Sequence, residues 1–213
     1  MKFALFFILL AAYFISLIVS SESSLIFILL WPVINLNVLA VAYVINLPNL
    51  ILGKQKNGKV NPILLLINLP WLLLTWFIFK IQIKLSRENF ADKIGNTNIW
   101  ISRRPSGESL EEYDLVIDLT AEFFKDNTDK YVSYPNLDGH SLKNLPDPAD
   151  FHPDKKTLIH CANGHGRSAL FTSHILKMSG VCENFEESME MILKSRPLAK
   201  PNKSQKKWLF EST

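Results

Sequence analysis

Three long apolar stretches crowd the first eighty residues of this 213-residue chain, at residues 3–20, 25–47 and 62–79, and none contains a charged side chain. Each is about the length of helix that crosses a hydrocarbon core of about 30 Å, where every backbone group needs a partner within its own helix. Trp31, Trp71 and Trp76 fall in or near the ends of these stretches, as interfacial anchors do. The middle stretch carries Pro32, Asn35, Asn37 and Asn46, so it is expected either to bond a neighbouring helix through its amides or to dip in without crossing. A cleaved signal peptide is the competing reading of the first stretch, with Lys2 as a thin basic start and a cleavage site near Ser20–Ser24. The long apolar run and the two segments behind it favour a retained helix. Two to three transmembrane helices are therefore expected over residues 1–87.

Charge divides the chain at the same place. Nineteen of the twenty acidic residues follow Arg87, so residues 1–87 carry +6 and residues 88–213 carry −3. The slight basic excess belongs to the apolar half, and nucleic acid is not an expected partner. With three crossings, Lys2, Lys54, Lys56 and Lys59 lie on one side and Lys80, Lys84, Arg87 and Lys93 on the other, so the positive-inside rule decides nothing. Cys161 and Cys182 are the only cysteines, and no CxxC pair suggests zinc. A free thiol favours the reducing cytoplasm for the second half.

Residues 88–213 have the composition of a globular domain. Short β-type runs occur at residues 98–102, 114–119, 130–134 and 157–160, and helical patterns at 167–178, 184–195 and 202–210. Interleaved strands and helices predict an α/β fold with a largely parallel sheet covered on both faces.

One segment of that domain carries chemistry. The apolar run 157–160 reads as a buried strand and residues from Ser168 onward as a helix; Cys161, Gly164, Gly166 and Arg167 lie between them. A strand, a glycine-bearing loop and a helix N-terminus make an anion cradle from inward-pointing N–H groups and the helix dipole. Ala162, Asn163, Gly164, His165 and Gly166 would line it. Cys161 at its base would be held as a thiolate by those N–H groups and Arg167, and Arg167 offers a planar fork to two phosphoryl oxygens. Ser168 is placed to donate to the sulfur when it leaves. His160 would orient the loop or simply pack at the strand end. Thiolate attack also needs an acid for the departing oxygen, and Asp138, on a turn directly after the 130–134 strand, is the preferred candidate. Asp147, Asp150 and Asp154 compete with it. Asp118 reads as a buried hydrogen-bonding partner and Cys182 as packing. Lys200, Lys203, Lys206 and Lys207 read as a solvated helix face, with contact to anionic lipid as the alternative.

On the stretch His160-Cys161-Ala162-Asn163-Gly164-His165-Gly166-Arg167-Ser168, the chain resembles the cysteine-dependent protein tyrosine phosphatase superfamily, in its dual-specificity branch, whose signature is HCxxGxxRS. Residues 115–120 look like the strand before the first core helix of these enzymes. Tyr134-Pro135-Asn136-Leu137-Asp138 looks like their general-acid loop, the end of 187–197 like their late helix and Arg-Pro exit, and Gln205 like a supporting glutamine of the last helix. The resemblance covers about residues 95–210. It implies a three-layer α/β/α fold over 88–213, a phosphocysteine intermediate, and no metal or other cofactor. Two departures stand out: a short interval between Asp138 and Cys161, and His165 in a loop without the lysines of members that act on inositol lipids.

The function that these residues predict is a membrane-anchored phosphatase acting on phosphate monoesters, with a phosphorylated protein or a phospholipid head group as substrate and the lipid bilayer as partner. A catalytically silent phosphate-binding membrane adaptor is the alternative, although Cys161, Arg167 and an acid are all present. A transporter or scaffold built on the first half is disfavoured, because the apolar segments hold no charged residue to mark a pathway.

Overall fold

The computed structural model describes residues 2–145, 151–152 and 154–211. The chain divides into two compact units. The first holds residues up to Lys54, then Val60–Ser86 and Ala121–Phe123; the second holds Gln55–Lys59, Arg87–Thr120 and residues from Phe124 on. Lys56 and Lys59 thus belong with the second unit, although the charge split groups them with the apolar half. The reason is main-chain bonding: residues 55–59 close a turn, and the Ser133 N–H donates to the Lys56 carbonyl at 2.8 Å.

In the first unit, helices α1 (Lys2–Ser20), α2 (Leu30–Val44) and α4 (Pro62–Leu85) follow the three apolar stretches, with a 3-10 turn at Ser24–Leu29 and a short α3 (Asn49–Leu52). Helix α4 continues past residue 79 and takes in Lys80 and Lys84. Three helices, counting the 3-10 turn with α2, are long and apolar enough to cross a membrane. Much of their apolar surface is exposed, including Leu9 (62%), Val19 (81%) and Ile63 (68%), far more than a water-soluble fold tolerates in one region.

The polar residues of this unit are engaged with one another. Pro70 sits inside α4 and has no N–H to give the Leu66 carbonyl; the Trp31 indole N–H donates to that carbonyl instead, at 3.0 Å. The Trp71 N–H donates to Asn35 Oδ1 at 3.2 Å, and Asn35 Nδ2 donates to Asn68 Oδ1 at 2.7 Å. Asn68 Nδ2 in turn bonds the Leu50 and Ile51 carbonyls, both at 2.8 Å. Asn35 therefore bonds a neighbouring helix, whereas Asn37 bonds Val33 of its own. Asn61 caps α4 by accepting from the Ile63 and Leu64 N–H groups, with Pro62 at the first helical position.

The second unit is a five-stranded mixed sheet with flanking helices. Its strands are β1 (Ala91–Lys93), β2 (Ile99–Ser102), β3 (Leu115–Thr120), β4 (Tyr131–Asn136) and β5 (Thr157–His160), in the order β1-β2-β5-β3-β4. Only β1 runs antiparallel, and it is the strand with no apolar run to signal it. Strand alternation sorts the core. Ile101, Ile117, Leu119 and Ile159 pack with α5 (Arg167–Met178), α6 (Phe185–Ser195) and α7 (Lys203–Glu211), through Leu170, Phe171, Ile175, Ile192 and Leu209. Val116 and Leu158 point the other way, onto Leu110 and Tyr113, with Phe90 and Trp100 alongside. Irregular chain provides the cover on that side, and residues 121–130 join β3 to β4 without a helix.

The strand register positions the site. Ser102, His160 and Asp118 lie side by side on β2, β5 and β3, and Thr120 pairs with Asn136 on β4. The C-terminal ends of four parallel strands therefore open at one edge, with β5 between β2 and β3.

The amide network of the first unit makes a direct prediction. Asn68→Leu strands Asn35 and the two carbonyls, and the full chain in detergent should lose about 1–2 kcal/mol. Thermal unfolding of the variant at the wild-type temperature would contradict this.

Candidate active site

Strand β5 ends at His160, and α5 begins at Arg167 with Gly166 as its N-cap. No described side chain caps α5, which leaves its first N–H groups to serve an anion. Cys161 is buried at the base of the intervening loop. Its Sγ accepts from the Gly164 N–H at 3.3 Å and lies 3.5 Å from Ser168 Oγ. Burial is the largest influence on this thiol and raises its pKa, as does nearby Asp138; the Arg167 charge and the hydrogen bonds from Ser168 outweigh both, so the pKa falls below the ordinary thiol value.

Arg167 is wholly buried. Its Nη1 donates to the Asn136 carbonyl at 2.9 Å, and Nη2 is 3.3 Å from Asp138 Oδ1. The Asp138 side chain is 69% exposed at the mouth of the loop. The structure thus brings together Cys161, Arg167, Ser168 and Asp138. Asp154 is exposed and makes no described contact with them, and Asp147 and Asp150 lie outside the described residues.

The loop is held closely from behind. Gly164 has φ +74°, and a Cβ there would sit 2.6 Å from the Ser102 carbonyl oxygen, so only glycine fits between Cys161 and β2. The Arg104 N–H donates to the Ala162 carbonyl at 2.9 Å. Arg196, also buried, donates from Nε to the Gly164 carbonyl at 3.1 Å and from Nη2 to the Asn163 carbonyl at 3.4 Å, and its charge is met by Asp92 at 2.6 Å. Gln205 lies against Gly166, where a Cβ would approach it to 3.2 Å, and its Nε2 donates to the His140 carbonyl beyond Asp138.

His160 does more than pack. Its Nε2 is 2.9 Å from Asp126 Oδ2 and its Nδ1 4.0 Å from Asp118 Oδ1, all three side chains being buried. Burial, the largest influence, lowers its pKa, but the two carboxylates prevail and the imidazole pKa is raised. Asp118 also accepts from Thr120 and from the Tyr131 hydroxyl (2.6 Å), and Asp126 pairs with Arg104 at 3.2 Å. Three ligand-type atoms lie within 4.8 Å of one another here. Thr120 and Tyr131 donate to Asp118, and Arg104 pairs with Asp126, so part of the charge of these carboxylates is met within the protein. A cavity of about 660 Å³ bordered by Lys125, Lys130, Arg104 and Asp126 contains none of the cradle residues.

The partners of several of these groups are not visible in the local sequence. Asn136 is the clearest case: its carbonyl holds Arg167 while its side chain accepts from the Lys143 and Asn144 N–H groups and so shapes the Asp138 loop. Arg196, Asp92, Asp126 and Glu88, which bonds His165, act across long sequence intervals.

No family model matches the sequence, and no curated protein matches it. Solved structures similar to the chain include Tk-PTP in its active form (22% identity, 57% of this chain and 95% of that one, TM-score 0.47). Human DUSP28 is similar at 14% identity (58% and 93%, TM-score 0.45). PTPMT1 in complex with PI(5)P is similar at 18% identity (58% and 94%, TM-score 0.43).

The pKa of Cys161 is open to measurement. Because it is lowered, the thiolate persists as pH falls through the ordinary thiol range, and alkylation of Cys161 should slow only at lower pH. Arg167→Met should move that profile upward. A profile at the ordinary thiol position in the wild type, or one that Arg167→Met leaves in place, would count against this electrostatics.

Proposed function

We propose that the chain is a membrane-anchored phosphatase that hydrolyses phosphate monoesters through a phosphocysteine on Cys161. The observation that carries the proposal is the buried pair of Cys161 and Arg167 around a glycine loop at a helix N-terminus, with Asp138 beside the guanidinium. In this reading the N–H groups of residues 162–167 and the Arg167 fork hold the phosphoryl oxygens. The Cys161 thiolate attacks phosphorus, and the bond to the leaving oxygen breaks as Asp138 gives that oxygen a proton. Asp138, now a carboxylate, then takes a proton from water as the water attacks phosphorus. The sulfur departs as a thiolate with help from the Ser168 hydroxyl, and inorganic phosphate is released.

The three apolar helices support anchoring to a bilayer, which suits either a phospholipid head group or a membrane-associated phosphoprotein. The catalytic unit would face the cytoplasm, where a free thiol survives.

The test is phosphate release by the full chain in detergent from aryl and alkyl phosphates, phosphopeptides and phospholipid vesicles. Cys161→Ser should lose at least about a thousandfold in kcat. Asp138→Ala should lose about a hundredfold or more on an alkyl phosphate and much less on an activated aryl phosphate, whose leaving group needs no proton. Equal phosphate release by wild type and Cys161→Ser would overturn the enzyme reading. An Asp138→Ala effect independent of leaving group would remove Asp138 as the acid.

A further inference from the structure

His165, in the cradle loop, meets a carboxylate from far earlier in the chain. Its Nε2 lies 2.8 Å from Glu88 Oε2 and 3.0 Å from Oε1, and both side chains are partly exposed, at 32% and 24%. The arginines around the cradle and the strand end beneath it also have carboxylate partners among the described residues. Arg103 pairs with Glu108, Arg104 with Asp126 and Arg196 with Asp92. Arg167 faces the phosphoryl position, with the exposed carboxylate of Asp138 beside it. The loop thus offers strong positive potential at one point, sized for one phosphoryl group, and carboxylates at its rim.

We propose that the Glu88–His165 pair is a specificity device restricting the site to groups that carry a single phosphate, so that a substrate with a second phosphate nearby is turned away. This rests on the phosphatase reading above and narrows its substrate class. The Glu88 carboxylate holds the one basic side chain of the variable loop positions, which would otherwise be available to a second phosphate. In this reading its negative charge also opposes a second phosphate brought up beside the loop. At partly solvated distances of this kind, one such charge discriminates by about five- to tenfold.

The experiment compares kcat/KM of the full chain in detergent, at low ionic strength, for phenyl phosphate and for resorcinol bisphosphate, which adds a second phosphate on the same ring. Wild type should favour phenyl phosphate by about tenfold, and Glu88→Gln should bring the two within about threefold of each other. Salt at about 0.5 M should shrink the wild-type preference in the same direction without any substitution. The proposal is overturned if wild type prefers the bisphosphate, if its preference is indifferent to salt, or if a folded Glu88→Gln keeps the wild-type ratio. Should neither substrate give phosphate release that Cys161→Ser abolishes, the phosphatase reading itself fails and this proposal with it. A wild type that is active but indiscriminate sinks the specificity device alone.

Discussion

Everything at the candidate site depends on a buried guanidinium. Arg167 is, with Arg196, the largest fully buried side chain among the described residues, and a charge that cannot be shed is costly to bury without partners. The Asn136 carbonyl meets part of the cost, Asp138 another, and the Cys161 thiolate offers a compensating charge. The dependence is mutual. Without Arg167 the buried thiol would lose the nearest positive charge that opposes its desolvation and would titrate higher, and the loop would lose its charge for holding an anion.

Such a pair is useful only if the loop does not move, and the structure supports it from several directions. Arg196 and Asp92 fix the carbonyls of Asn163 and Gly164, Arg104 fixes Ala162, and Ser102 leaves room only for a glycine at position 164. Below Cys161, His160 is held between Asp118 and Asp126. Preorganised dipoles of this kind lower a barrier because they need not reorient as charge develops.

The cradle loop was legible in the sequence where it is contiguous. Cys161, Gly164, Gly166, Arg167 and Ser168 follow one another between a strand and a helix, and local geometry alone dictates what they surround. Strands β2 to β5 and helices α5 to α7 were legible from their apolar periodicity, and Asp138 from the turn it occupies. What escaped acts at a distance: Asn136 and Arg196 stood out only as members of the acid-loop and Arg-Pro stretches, and their partnerships with Arg167 and Asp92, like that of Glu88 with His165, span 31, 104 and 77 residues, so only the folded sheet brings these positions together. Strand β1 was invisible because Ala91–Lys93 carries no apolar run and forms through its pairing with β2. In the apolar half, the three stretches were plain, but the partnership of Asn35 with Asn68 and of Trp31 with the carbonyl freed by Pro70 needed the packed helices.

The central claim is that phosphorus passes through the sulfur of Cys161. Rapid acid quenching of the wild-type chain during turnover of an aryl phosphate, followed by mass spectrometry of its peptides, tests this most directly. The account predicts one phosphoryl group on the peptide containing Cys161, appearing within the first turnover and absent from Cys161→Ser. Phosphate release that continues with that peptide unmodified, or with the label on another residue, would contradict it.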